Sequence, residues 1–227
     1  MTLLRLSDSW IALTKPISLR YMKFGGADPI RTARMDFIQA PCTKRSPSDG
    51  SKPSAFRETQ GAKHTHIPCG RPRDPEELIP VTLLHPVFGQ FVDDCQTGTM
   101  TEGDNQFCSK LANALSDLYT SEQGRAKALD VVFKDGHVYF NFLEKIPGTD
   151  YQMDASLSID GADLPPYCIA EFKNEVGSST SEPYMQAVAY YLEATKKHAS
   201  RQPKSTWPCV LLVVFGWDLF FYLRSRY

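Results

Sequence analysis

The chain has 227 residues, 42% of them apolar, and a formal net charge of −1. That length supports one globular domain with a sizeable core and leaves room for an appended segment. The net charge hides an asymmetry: residues 1–75 carry 13 Lys/Arg against 6 Asp/Glu, and residues 76–227 carry 12 against 20. Arg5 and Asp8 interrupt any apolar signal-peptide core. The apolar run from Cys209 to Leu223 is too short for a membrane span and contains Asp218. None of the six cysteines (Cys42, Cys69, Cys95, Cys108, Cys168, Cys209) forms a C-x-x-C pair, which points to a reducing intracellular compartment, nucleus or cytoplasm.

Residues 1–75 show little hydrophobic periodicity. From Pro41 to Asp74 the chain is rich in Pro, Ser, Lys, Arg and Gly, a composition that buries too little apolar surface to offset its ordering entropy. A disordered or loosely attached basic segment is expected, either touching nucleic acid or acting only as a soluble tail. His64, His66 and Cys69 lack a fourth ligand at a zinc-type spacing, so a plain loop is the stronger reading. The domain is expected over 76–227. Pro80 and Pro86 rule out a long helix over Glu76 to Phe91, leaving an irregular lead-in that packs Leu83, Leu84, Val87 and Phe88. Asp93 to Asp104 reads as a polar loop.

Two helices follow. Phe107, Leu111, Leu115 and Leu118 form a stripe at helical spacing over Asn105 to Tyr119, with Asp104 as a cap. A second helix is predicted over Ser121 to Phe133, capped by Thr120 or Ser121. Its Glu122 favours the helix dipole and sits three residues before Arg125, a sufficient structural reason for both. Val138 to Leu143 reads as a strand with Val138, Phe140 and Phe142 on one face, and Asp150 to Ile159 as a second strand with a polar start.

The organising stretch runs from Tyr167 to Tyr191. Tyr167 to Lys173 is a short buried strand, on which Glu171 and Lys173 face one way and Ala170 and Phe172 the other. A polar loop leads to a helix over Glu182 to His198, with Ser181 as a plausible cap and Pro183 in the first turn. Gln186 and Tyr190 share a face of that helix. A hairpin closes the chain, Cys209 to Phe215 and Leu219 to Leu223. The order helix, strand, strand, strand, helix, strand, strand implies an α/β (α+β) fold with a mixed sheet flanked by helices.

If the two middle strands pair, the carboxylates of Asp150 and Glu171 meet at one sheet edge. Magnesium takes one or two carboxylates and completes its shell with water and substrate phosphate. Lys173 on the same face suits a water or a phosphate, and together these are the parts for phosphodiester hydrolysis. Asp154 is a rival for the aspartate position.

These residues carry a resemblance. Asp150, then Glu171-Phe172-Lys173, then Gln186 and Tyr190 in QAVAY, resemble the PD-(D/E)XK nuclease superfamily, and the Q-x-x-x-Y helix looks like its RecB-type branch. The wording Ile169-Ala170-Glu171-Phe172-Lys173-Asn174-Glu175, with Pro183, Tyr184 and Gln186 after it, is similar to the nuclease-like domain of fungal Crinkler-type proteins, as is the His85–Cys95 segment. The resemblance covers Pro80 to Leu223. It implies a restriction-endonuclease-like αβββαβ core and Mg2+ or Mn2+ held by Asp150 and Glu171. It further implies Lys173 as the catalytic lysine, Glu122 as a supporting carboxylate, Gln186 and Tyr190 as orienting groups, and DNA as substrate. Such domains often precede a protein-kinase-like domain; the chain has no Gly-rich loop, HRD or DFG, which implies a truncated or stand-alone relative. Thr149 stands where the family often has proline.

Two plainer readings compete. Glu171, Lys173 and Glu175 form a solvated charge run on an edge strand, and Tyr190 is core. Or the fold serves as a binding or effector module without turnover. Against the first, YCIA before Glu171 is apolar, and a carboxylate on a buried strand needs a reason.

Overall fold

A computed structural model describes residues 45–61, 67, 69, 81–83, 85–160, 163–175, 177–202 and 205–224. Leu84 and the pair His64 and His66 fall outside them.

The described residues form a mixed α/β structure: six α-helices and a five-stranded sheet. The helices are α1 (Pro47–Gly50), α2 (Pro53–Gly61), α3 (Pro86–Thr97), α4 (Glu102–Ser116), α5 (Glu122–Asp135) and α6 (Pro183–Arg201). The strands are β1 (Asn141–Phe142), β2 (Ala155–Leu157), β3 (Cys168–Lys173), β4 (Cys209–Phe215) and β5 (Asp218–Arg224), in the spatial order β1-β2-β3-β4-β5. Only the β3–β4 pair is parallel, because α6 carries the chain from the end of β3 back to the start of β4. The others are antiparallel.

The sheet is covered on both faces. Cys168, Ala170 and Phe172 of β3 join Val210, Leu212 and Val214 of β4 against Leu111 and Leu115 of α4 and Leu129 and Phe133 of α5. Ile169 of β3 and Cys209, Leu211 and Val213 of β4 face the other way, against Ala187, Val188, Tyr190, Tyr191 and Ala194 of α6. This is why β3 and β4 read as unbroken apolar runs. Each fully buried Val or Leu here contributes about 1.5–3 kcal/mol.

Local chemistry sets the ends. Thr101 caps α4 in a capping box with Asp104 at the third position, so the helix starts three residues before the predicted Asn105 and stops at Ser116, leaving Leu118 exposed. Ser121 caps α5, its hydroxyl accepting from Gly124 N–H. Glu182, not Ser181, caps α6, accepting from Met185 N–H, with Pro183 at the first helical position. Leu143 has φ 54, a left-handed value that ends regular strand geometry and shortens β1 to two residues. The second strand also shortens, to Ala155–Leu157.

Two expectations are corrected. Pro86 starts a helix rather than breaking one: His85 caps α3 through Nδ1, and the helix runs through Asp93–Thr97, where a polar loop was expected. The proposed disordered segment 1–75 contains α1 and α2, and they dock on the domain. Glu182 N–H donates to Ser51 C=O, the Ser181 hydroxyl donates to Ser48 C=O, and the Gln60 amide both donates to and accepts from the Ile67 backbone. Ala55 and Ile67 are buried there, so a few well-placed apolar residues compensated for a polar composition.

Candidate functional site

Strand β3 positions the site. Its alternation sends Glu171 and Lys173 to the α6 face with Ile169, as expected. Glu171 is 0% exposed and Lys173 is buried. Lys173 Nζ lies 2.7 Å from Glu171 Oε1 and 3.7 Å from Glu122 Oε2, and donates to Phe172 C=O at 3.3 Å. The approach to Glu171 is an ion pair without hydrogen-bond alignment, so both Glu171 oxygens are left without a hydrogen-bond donor. Buried carboxylate oxygens in that condition are costly unless something else satisfies them.

Asp154 sits immediately before β2. The register pairs Ala155 with Ala170, which sets Asp154 opposite Glu171, and Asp154 Oδ2 accepts from Phe172 N–H at 2.8 Å. The sequence reading placed Asp150 here, with Asp154 as its rival. The strand begins at Ala155, not at Asp150, so Asp154 abuts Glu171, while Asp150 lies exposed in the preceding bend.

Glu122 comes from the opposite layer. Ser121 starts α5 beside the C-terminal end of β3, so the first helical carboxylate reaches Lys173 from the far side. The Arg125 pairing anticipated for Glu122 is replaced by a different one. Arg125 is 0% exposed and donates to the carbonyls of Leu115, Gly216 and Asp117 and to Glu175 Oε1. Its guanidinium also lies over the Tyr119 ring at 4.8 Å. It thereby ties α5 to the ends of β3 and β4. Glu175 was read as part of a solvated run, and no spacing rule links it to Arg125 across 50 residues.

Helix α6 supplies the last pair. Gln186 and Tyr190 are buried, and Gln186 Nε2 approaches Tyr190 Oη at 3.4 Å. Burial raises the phenol pKa, and the charges of Glu171 and Asp154 raise it further, so Tyr190 borders the carboxylates. Helix α1 also lies nearby, docked at the start of α6 through Ser181 and Glu182, and no period in the sequence marks that contact.

The protonation pattern follows from one ammonium among three carboxylates. Burial pushes Glu171 well above its ordinary 4.5, with Asp154 adding to the rise and Lys173 opposing it. Burial likewise raises Asp154, against the Phe172 N–H bond and the Lys173 charge. Burial alone would lower Lys173, but Glu171, Asp154 and Glu122 outweigh it and raise its pKa. Lys173 therefore stays charged, while Glu171 and Asp154 both hold a proton more readily than in water. Three carboxylates face one ammonium, an imbalance that a cation would offset by favouring their ionised forms.

Among the described residues no group of three or more His, Cys, Asp or Glu is arranged to hold a metal ion. The donor set is instead two carboxylates, Asp154 and Glu171. That fits magnesium, which takes one or two carboxylates and leaves the rest of its shell to water and phosphate. Glu171 Oε2, which has no hydrogen-bond partner, fits such a cation as well. No helix among the described residues is long and apolar enough to cross a membrane.

No family model, no curated protein and no solved structure matches the chain.

Proposed function

We propose that this chain is a nuclease-like domain of the PD-(D/E)XK class, with a restriction-endonuclease-like core, that hydrolyses phosphodiester bonds in DNA with Mg2+ or Mn2+. The observation that supports it most is the meeting of Asp154, Glu171 and Lys173 at one point on β3, with Glu122 behind Lys173 and Gln186–Tyr190 beside Glu171. Asp154 and Glu171 would hold the cation, which supplies a water of lowered pKa and neutralises charge on phosphorus. Lys173 holds an ammonium between Glu171 and Glu122, where it would bind a phosphate oxygen or orient a water. Glu122 fixes that ammonium from the solvent side. The Phe172 N–H fixes the Asp154 carboxylate, and Gln186 and Tyr190 line the side of the site toward α6.

The second reading is a domain of the same fold that binds nucleic acid or protein without turnover, related to domains that accompany a kinase-like domain. The burial of Glu171, which is 0% exposed, favours it. The test is cleavage of supercoiled plasmid with magnesium or manganese by the natural chain and by Lys173→Ala. Metal-dependent nicking that disappears in the variant supports the nuclease. No cleavage by the folded natural chain, with DNA binding retained, favours the binding module.

A further inference from the structure

The α6 face of the sheet does not end at the carboxylates. Glu171 is in register with Val213 on β4, and Val213 with Phe220 on β5; Lys173 is in register with Phe215, and Phe215 with Asp218. Registered neighbours point to the same face, so Glu171, Val213 and Phe220 form one row, and strands about 4.8 Å apart put Phe220 about 10 Å from Glu171. Along this row burial falls from 0% exposed at Glu171 to 39% exposed at Phe220.

The exposed end is aromatic and ordered. Phe220 stacks on Phe215 at 5.4 Å with an interplanar angle of 18°, and on Tyr222 at 6.3 Å and 25°. Tyr222 in turn packs on Tyr184 at 4.2 Å, and the Arg224 guanidinium donates to the Tyr184 hydroxyl. The β4–β5 turn adds Trp217, 77% exposed. The turn has two residues with glycine first, Gly216 at φ 55, so the residue that follows projects from the hairpin tip. Arg125 holds this tip through Gly216 C=O, which leaves Trp217 on an anchored turn. No further strand pairs with β5 among the described residues.

We propose that Phe220 and Trp217 are a base-stacking platform and that the ligand is single-stranded nucleic acid, its backbone passing the Glu171–Lys173 site. This rests on the reading of that site as one for phosphodiesters. Two features select this occupant. The exposed groups are flat rings, which stack on any base and read none. Phe220 is continuous with the site on one sheet face, through Val213 to Glu171. A duplex, whose bases are already stacked on one another, offers these rings no free face.

The test measures binding of a fluorescent 12-nucleotide single strand, the matching duplex, and a strand of the same length whose central bases are abasic. Calcium without magnesium keeps chemistry out of the measurement. The natural chain is expected to bind the single strand at least tenfold more tightly than the other two. Trp217→Ala and Phe220→Ala are each expected to lose about tenfold for the single strand alone, and the Trp217 emission should be quenched on binding. Phe220→Leu, which keeps the apolar packing, guards against a folding artefact and should behave as Phe220→Ala does. Equal affinity for the three probes, or variants that leave single-strand affinity unchanged, overturns the proposal. So does self-association of the chain that Phe220→Ala abolishes while oligonucleotide binding stands, which would give the face to a second copy. Failure here leaves plasmid cleavage untouched, and failure of cleavage leaves this binding result standing, so the two readings fall separately.

Discussion

Asp154 and Glu171 stand opposite each other across the β2–β3 ladder, and Asp154 is held there by the Phe172 N–H at 2.8 Å. One carboxylate is fixed by a backbone donor and the other is paired with the Lys173 ammonium at 2.7 Å, and the proposed cation would sit between them. Of the two aspartates that the sequence left open, Asp154 is the one that stands beside Glu171.

Asp154→Asn is therefore expected to weaken Mn2+ binding at least tenfold by calorimetric titration, whereas Asp150→Asn, in an exposed bend, leaves it within twofold. The reverse order would return the position to Asp150.

The Lys173–Glu171 pair is buried on both sides, and removing one partner strands the other. Lys173→Ala is expected to cost about 3 kcal/mol in denaturant unfolding. The double variant Lys173→Ala/Glu171→Gln should recover most of that loss, since the most deeply buried carboxylate no longer brings a charge. Equal losses in the single and the double variant would mean that the cost lies in packing alone.

Stability should also depend on pH in an unusual direction. Glu171 and Asp154 have folded pKa values above the ordinary 4.5 and 3.8. The folded state thus binds these protons more tightly than the unfolded state does. Their contribution is fully present below those ordinary values and is lost as pH rises through the raised ones. Without divalent ions, unfolding midpoints should fall from weakly acid pH upward. Glu171→Gln should flatten the slope, and added magnesium should offset it. A midpoint that climbs with pH over the same range in the natural chain, and equally in Glu171→Gln, would remove these carboxylates as its cause.

The sequence carried the centre of this molecule better than its edges. Unbroken apolar runs in β3 and β4 and the alternation that pairs Glu171 with Lys173 are local properties, so they were legible. So was the four-residue spacing that puts Gln186 beside Tyr190. The start of β2 was not, because a left-handed Leu143 and the Asp154–Phe172 bond set it, and neither leaves a period in the sequence. Helix α3 is not legible from Pro86 alone, because proline breaks a helix interior yet suits a first helical position, which is where it stands. Helices α1 and α2 carry no apolar period because their composition is polar; the Ser181 hydroxyl and Glu182 N–H hold Ser48 and Ser51, and Gln60 of α2 holds the Ile67 backbone. Arg125 was seen but given the wrong partner, since Glu175 lies 50 residues away.

That partner makes Arg125 the strongest structural dependency outside the carboxylate cluster. Arg125→Met leaves the carbonyls of Leu115 and Gly216 and the Glu175 carboxylate without their donor. About 3 kcal/mol of stability should be lost, and Arg125→Lys should recover little, because a single ammonium cannot span the same carbonyls. Denaturant unfolding of both variants checks this; a lysine variant as stable as the natural chain would show that charge, not the planar fork, is what matters.

The most direct test of the central claim is to grow crystals with Mn2+ and collect anomalous scattering. One peak bound by Asp154 and Glu171 is expected, absent from crystals of Glu171→Gln. A peak held by other residues, or none at saturating Mn2+ with both carboxylates clearly seen, would contradict it.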